Sequence, residues 1–348
     1  MKTEIITIGE KLIGPGQPCF LIVEVGTTHL GDLNNALKLV EVCAEAGVNA
    51  VKFQVIDPDQ LSDTTVEYSY SSGGKQYSAN MKEMFSILQF SPDEWRQIRD
   101  ACHERGLMFF STVDYAFGVD IMEALDVPVH KMGAWDVTYR PLVEKIGRTG
   151  KSLFVDLGPC TEVEADDLVR WFRDAGGNAV LFLHDFHTQK ETQMNMKAIS
   201  YLAKKYPWPA GFSSPGRDDD LDLLALGMGA HYIEKRLTLS RALKAFHADE
   251  SLEPPELKAW VQRIRRAESA LGQEAVIPSD DDARMSKSYY RSICTMAPVV
   301  KGELLTAQNL DGKRPGTGIP TTELSIYIGK RATRDLPVNH LLAQGDAD

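Results

Sequence analysis

The sequence predicts an α/β protein, a (β/α)8 barrel followed by a small C-terminal module. Short apolar runs rich in Val, Ile and Phe recur eight times, at 20–25, 50–55, 107–112, 127–132, 152–157, 179–184, 209–214 and 231–235. Segments with helical spacing separate them. From Gln273 onward the texture changes to short stretches punctuated by Gly and Pro, with no long helical pattern. Eight apolar strands alternating with helices is the arithmetic of a closed parallel barrel. A doubly wound open sheet is the competing arrangement, and no GxGxxG follows the first run to support it.

Each helix has its own signals. Residues 32–46 place Ala36, Leu37, Val40, Cys43 and Ala44 on one face, with Gly47 behind them as a C-terminal cap. SPDEW at 91–95 is a helix start, with Ser91 as cap, Pro92 in the first turn and Glu94 three residues on. Further helices are expected over 116–125, 140–149, 161–175, 192–206, 218–227 and 254–271. The segment 56–80 is too long for a minimal βα connection. Its Tyr68, Tyr70 and Tyr77 either cover a pocket or pack on a neighbouring subunit. The expected organisation is a barrel over 1–275, a polar acidic linker over 276–288 and a compact module over 289–348, which would be marginal alone.

Composition narrows the function. A net charge of -11 without a basic stripe argues against nucleic acid or an anionic membrane surface as partner. Five scattered cysteines without a CxxC read as reduced thiols. No apolar run approaches a membrane span and the start MKTEIITIGE lacks a signal-peptide layout, so a cytoplasmic protein is expected.

In a barrel, chemistry gathers at the C-terminal ends of the strands. Here those ends carry Glu24, Lys52 with Gln54, Ser111 with Thr112, Lys131, Asp156, His184 with Asp185, Ser213 with Ser214, and Glu234 with Lys235. Lysine is rarely buried without a partner. Lys52 in AVKFQ and Lys131 in VHKMG therefore indicate either a pocket for an anion or an internal Lys–Glu pair.

These residues carry a resemblance. VEVGTTHLGD (23–32), AEAGVNAVKFQ (44–54), ERGLMFFSTVD (104–114), GAHYIEKRLTL (229–239) and SLEPPEL (251–257) resemble the sialic acid synthase family, the N-acetylneuraminate synthases and their spore-coat-polysaccharide relatives. RSICTMAPVVKGELLTAQNLDGKRPGTGI (291–319) is similar to that family's C-terminal antifreeze-like SAF (β-clip) domain. The resemblance implies a TIM barrel plus SAF domain and a domain-swapped homodimer. It also implies condensation of phosphoenolpyruvate with an aminosugar aldehyde, assisted by manganese or magnesium. On the phosphoenolpyruvate side it assigns Lys52, Thr112, Lys131 and Ser213. On the sugar side it assigns Glu24, Gln54, Asp136 in place of a glutamate, and Arg314, which reaches the sugar from the partner subunit.

The departures concern the metal and the phosphate. Pro215 and Arg236 stand where the family has its two metal-binding histidines, and neither side chain offers a lone pair. His247 aligns with an aspartate, and Ala134 and Asp156 replace small hydroxyl residues near the phosphate. No resident metal or other cofactor is therefore expected. Arg236 is expected to supply the positive charge that polarises the aldehyde, with Glu24, Lys131 and His247 as further catalytic candidates. Three alternatives stay open. One is a rebuilt metal site using His29, His184, His187 or His247. Another is a repurposed, non-catalytic homologue binding a sugar or keto acid. The last is a Schiff-base aldolase acting through Lys131.

Overall fold

The computed structural model describes residues 3–63, 65–72 and 74–348. They form two compact units, Met1–Gly272 and Gln273–Asp348. All eight predicted strands are present in the first unit: β1 (Phe20–Glu24), β2 (Ala50–Val55), β3 (Met108–Val113), β4 (Val129–Met132), β5 (Ser152–Asp156), β6 (Val180–His184), β7 (Gly211–Ser213) and β8 (Tyr232–Arg236). Each runs parallel to the next, and β8 closes the barrel on β1 with Arg236 opposite Glu24.

Aromatic rings from β3, β5 and β8 meet in the interior. Phe110 stacks on Phe154 at 5.5 Å, and Phe154 meets Tyr232 edge-on at 5.1 Å. The Tyr232 hydroxyl donates to the carbonyls of Phe182 (2.8 Å) and Pro209 (3.1 Å), which satisfies its one buried polar group. A Cβ at position 211 would lie 2.1 Å from the Tyr232 ring, so β7 needs glycine there. Below this layer, a hairpin of Ile6–Ile8 and Lys11–Ile13 lies against Pro128 and Pro207, at the N-terminal ends of the strands.

The helices follow their caps. Leu33–Ala46 runs from an Asp32 cap to Gly47 at φ 79°, and Pro92–Glu104 carries the Ser91–Glu94 capping box. The helix expected over 192–206 is confined to Ala198–Lys205, because Asn195 at φ 45° interrupts the segment.

The long segment after β2 folds as an antiparallel hairpin, Glu67–Ser72 with Lys75–Asn80, flanked by the short helices Pro58–Leu61 and Met81–Ser86. Thr64 and Gly73 of this segment lie outside the described residues. Tyr70 stacks on its cross-strand partner Tyr77 at 5.4 Å, while Tyr68 meets Phe246 edge-on at 4.8 Å. The Gly74 amide donates to the Asp249 carboxylate at 3.1 Å, and the Ser71 hydroxyl bonds the same group. The hairpin is thus docked on the loop that follows β8 of its own chain.

In the second unit, the segment expected as a linker holds an exposed helix, Asp280–Tyr289, capped by Ser279, and three aspartates in its first turn complement the helix dipole. Behind it, Ser292–Thr295 pairs antiparallel with Leu310–Lys313 over a small core that includes Ile293, Val299, Leu305, Leu336 and Leu342.

Candidate active site

The inner face of the barrel mouth holds five charged side chains in contact. Lys52 is ion-paired with Glu24, lies 3.2 Å from Glu234 and donates to the Thr112 hydroxyl at 3.0 Å. Lys131 lies 2.6 Å from the other Glu234 oxygen and 3.0 Å from Asp156. Glu234, on β8, therefore bridges two ammonium groups, one from β2 and one from β4 on the opposite side of the barrel. Neither lysine is more than 3% exposed, so both charges depend on these carboxylates. Both lysines that the sequence marked as anomalies thus make internal pairs with carboxylates at the mouth.

The same contacts set the acidities. Burial would raise the Glu234 carboxyl, but Lys131 and Lys52 outweigh it and bring it down to about 2. Burial would lower Lys52, yet Glu234 and Glu24 hold it above the usual lysine range. Asp156 goes the other way. Its burial, reinforced by Glu234, lifts it above the usual carboxylate range despite Lys131.

Glu24 is fixed by its surroundings. Its Oε1 accepts from the Gly26 amide at 2.6 Å and from Gln54 Nε2 at 3.3 Å. A Cβ at position 26 would lie 2.6 Å from that oxygen, so the turn after β1 requires glycine to bring its amide to the carboxylate. Strand register sets Thr112 beside Lys131 and Ser213 beside Glu234.

A second layer of carboxyls surrounds the five. Asp114, just past β3, and Asp136 each place a carboxyl oxygen 3.8 Å from where a Cβ at Gly133 would stand, and burial together with that neighbour raises Asp114 to about 7. Burial raises Asp136 to about 6. Asp185, after β6, is raised to about 7 by burial and by Asp156. Its Oδ2 lies 3.7 Å from His187, whose ring is tilted by 37° against the exposed Trp135, with centroids 4.8 Å apart.

Arg236 and His247 meet on one carboxylate. Glu250 lies 3.4 Å from the guanidinium and 2.9 Å from His247 Nδ1. Burial, then Arg236, lowers His247 to about 4, so it is a neutral imidazole at neutral pH. Lys235 alternates to the outside of the barrel. It bonds Asp222 at 2.8 Å, which also accepts from Trp260 at 2.7 Å, and it plays no part in the mouth.

The donor set does not fit the divalent metal that the resemblance implies. Pro215 and Arg236 supply no ligand atom. The four histidines of a rebuilt site are separately engaged. His29 Nδ1 accepts from the Gly31 amide, His184 bonds the Met194 carbonyl, His187 lies against Trp135 and faces Asp185, and His247 bonds Glu250. Among the described residues no three His, Cys, Asp or Glu side chains group as metal ligands.

The mouth thus brings together Glu24, Lys52, Gln54, Thr112, Lys131 and Ser213, with Arg236 and His247 joined beside them through Glu250, and Asp136 and Asp114 both near Gly133. Arg314 belongs to the second unit, where its Nε donates to the Tyr289 carbonyl at 2.6 Å. Sequence reasoning passed over two groups as site residues. Glu234 was visible only as a strand-end carboxylate, although alternation along YIEKR puts it on one face with Tyr232 and Arg236, and Ile233 and Lys235 on the other. Asp114 lies one residue beyond an apolar run and had no local signal.

Comparison with known proteins agrees over nearly the whole chain. The NeuB family model matches residues 39–276. The N,N'-diacetyllegionaminic acid synthase of Legionella pneumophila is 30% identical over 94% of this chain and 94% of its own. The human N-acetylneuraminate-9-phosphate synthase is 25% identical over 95% and 93%. The crystal structure of N-acetylneuraminic acid synthetase from Leptospira borgpetersenii in complex with citrate superposes with a TM-score of 0.71 at 26% identity. It covers 81% of this chain and 95% of that one. A spore coat polysaccharide biosynthesis protein E from Chromobacterium violaceum reaches a TM-score of 0.75 at 19% identity, a likeness of fold.

Proposed function

This chain belongs to the NeuB family, and from that membership we propose that it is a carbon–carbon bond-forming synthase. It condenses phosphoenolpyruvate with an aminosugar aldehyde and releases phosphate, in surface-carbohydrate biosynthesis. The observation that carries the reading is the pair of buried lysines at the barrel mouth, with Thr112 and Glu24 beside them. Ammonium and hydroxyl groups so placed suit a carboxylate and a phosphate.

In this reading Lys52, Lys131, Thr112 and Ser213 hold the donor, while Glu24, Gln54 and Asp136 orient the acceptor. The enol C3 attacks the aldehyde carbon and water adds at C2. Cleavage of the C2–O bond then releases phosphate and leaves a 2-keto acid. Arg236 supplies the fixed positive charge at the aldehyde oxygen, since no residues here suit a metal in that role. His247, neutral at working pH, accepts a proton and does not supply one. The second unit acts as an antifreeze-like module whose Arg314 reaches the sugar in a domain-swapped homodimer. The protein works in the cytoplasm, and among the described residues no helix is long and apolar enough to cross a membrane.

The test is turnover of phosphoenolpyruvate with a panel of N-acylated hexosamines in the presence of chelator. Mass spectrometry should find a 2-keto acid three carbons longer than the acceptor. Asp156 against Lys131 favours one second reading, a homologue that binds a sugar or keto acid without turnover. That reading predicts thermal stabilisation by the ligand and no phosphate release.

A further inference from the structure

The residues assigned so far answer to charges and hydroxyl groups, and none of them offers a surface to the carbon skeleton of a sugar. A sugar is polar at its hydroxyls and apolar along its C–H faces. Those C–H groups, polarised by neighbouring oxygens, sit well on the electron-rich face of an aromatic ring. Small-ligand sites accordingly combine an aromatic wall with a few fixed polar groups.

Trp135 is an aromatic ring left uncovered at the strand ends. It lies in the short helical turn Ala134–Asp136 that follows β4 and is 68% exposed, while Ala134 beside it is buried. Its ring meets that of His187, from the segment after β6, at 4.8 Å. β5 lies between β4 and β6 in the barrel, so these two segments join across its end. Gly158 permits the junction, because a Cβ there would lie 2.7 Å from the His187 ring and 3.2 Å from the Ala134 methyl. A single exposed aromatic is ordinary on a protein surface. This one is held over a strand end at the barrel mouth, where chemistry gathers.

Polar groups flank the ring. Asp136 follows Trp135 directly, and Asp156 ends β5 two residues before Gly158. Asp185 spends Oδ1 on the Phe186 amide at 2.8 Å. Its Oδ2 faces His187 at 3.7 Å, beyond hydrogen-bond reach, and is open to a sugar hydroxyl. We propose that Trp135 is the stacking platform of the acceptor subsite and that the acceptor is an uncharged sugar. The inference rests on the synthase reading and narrows its substrate class. Three carboxyl side chains around the platform would repel a phosphate group carried by the acceptor.

The experiment reads binding apart from turnover, on the full-length protein. A panel of N-acetylhexosamines and their 6-phosphates is titrated by calorimetry and by intrinsic tryptophan fluorescence. The unphosphorylated sugars should change the wild-type emission, and Trp135→Phe should remove that change while keeping most of the affinity. Trp135→Ala should raise the acceptor Kd about tenfold and leave the phosphoenolpyruvate Kd within twofold. Its Tm should match the wild type, since the ring is exposed. No sugar bound by the wild type, or an unchanged acceptor Kd in Trp135→Ala, overturns the platform. Loss of a dimer in Trp135→Ala with acceptor affinity intact overturns it too, and makes the ring an interface residue. Equal or tighter binding of the 6-phosphates overturns the uncharged acceptor. Sugar binding that depends on Trp135 without phosphate release overturns the synthase reading and leaves the platform standing.

Discussion

Asp156 lies 3.0 Å from the Lys131 ammonium, with its own carboxyl shifted toward the neutral form by burial. The protein thus supplies an internal anion where an incoming phosphate or carboxylate would seek the same lysine. Removing that competitor should help the ligand. Asp156→Ser is expected to tighten phosphoenolpyruvate binding about tenfold, equivalent to about 1.4 kcal/mol. Isothermal titration calorimetry checks this, and equal or weaker affinity would show that Asp156 does not compete with the donor.

Glu234 has a different role, because two buried ammonium groups share it. Glu234→Gln leaves each lysine with a single carboxylate, Lys131 with Asp156 and Lys52 with Glu24. The unfolding free energy should drop by about 3–5 kcal/mol. Urea denaturation at neutral pH measures it, and a loss under about 1 kcal/mol would mean that the remaining carboxylates suffice.

The two kinds of carboxyl at the mouth respond to pH with opposite sign. Glu234 is more acidic folded than unfolded, so its stabilisation is present above its unfolded value of 4.5 and fades as pH falls toward 2. Asp114 is less acidic folded than unfolded. Its contribution is complete below 3.8 and is lost as pH rises through about 7. Asp114→Asn should therefore gain on the wild type as pH rises from 4 to 7, by on the order of 2–4 kcal/mol. Paired denaturation curves at the two ends of that range would detect it, and a constant difference would remove the buried titration.

Arg236 bears on the metal question. Arg236→Met should lower kcat about 100-fold, while chelator leaves the wild-type rate unchanged. Rate loss on chelation, restored by manganese, would contradict the assignment of Arg236 as the polarising charge.

By itself, the sequence determined the eight strands, their order and the helices between them. Apolar period, capping residues such as Ser91 and Asp32, and glycine stops are local, and each acts within a few residues. The same locality exposed Lys52 and Lys131 as anomalies, because a charge inside an apolar run is visible without its neighbours. Only the tertiary structure decided what those charges meet. Glu234 lies 103 residues from Lys131, and closure of β8 on β1 is what brings it across the barrel. Asp114 came near Asp136 only when the turn after β4 carried both carboxyls to Gly133, and burial there raises the Asp114 carboxyl. Charge interactions depend on distance and local dielectric, and neither is a property of residue order.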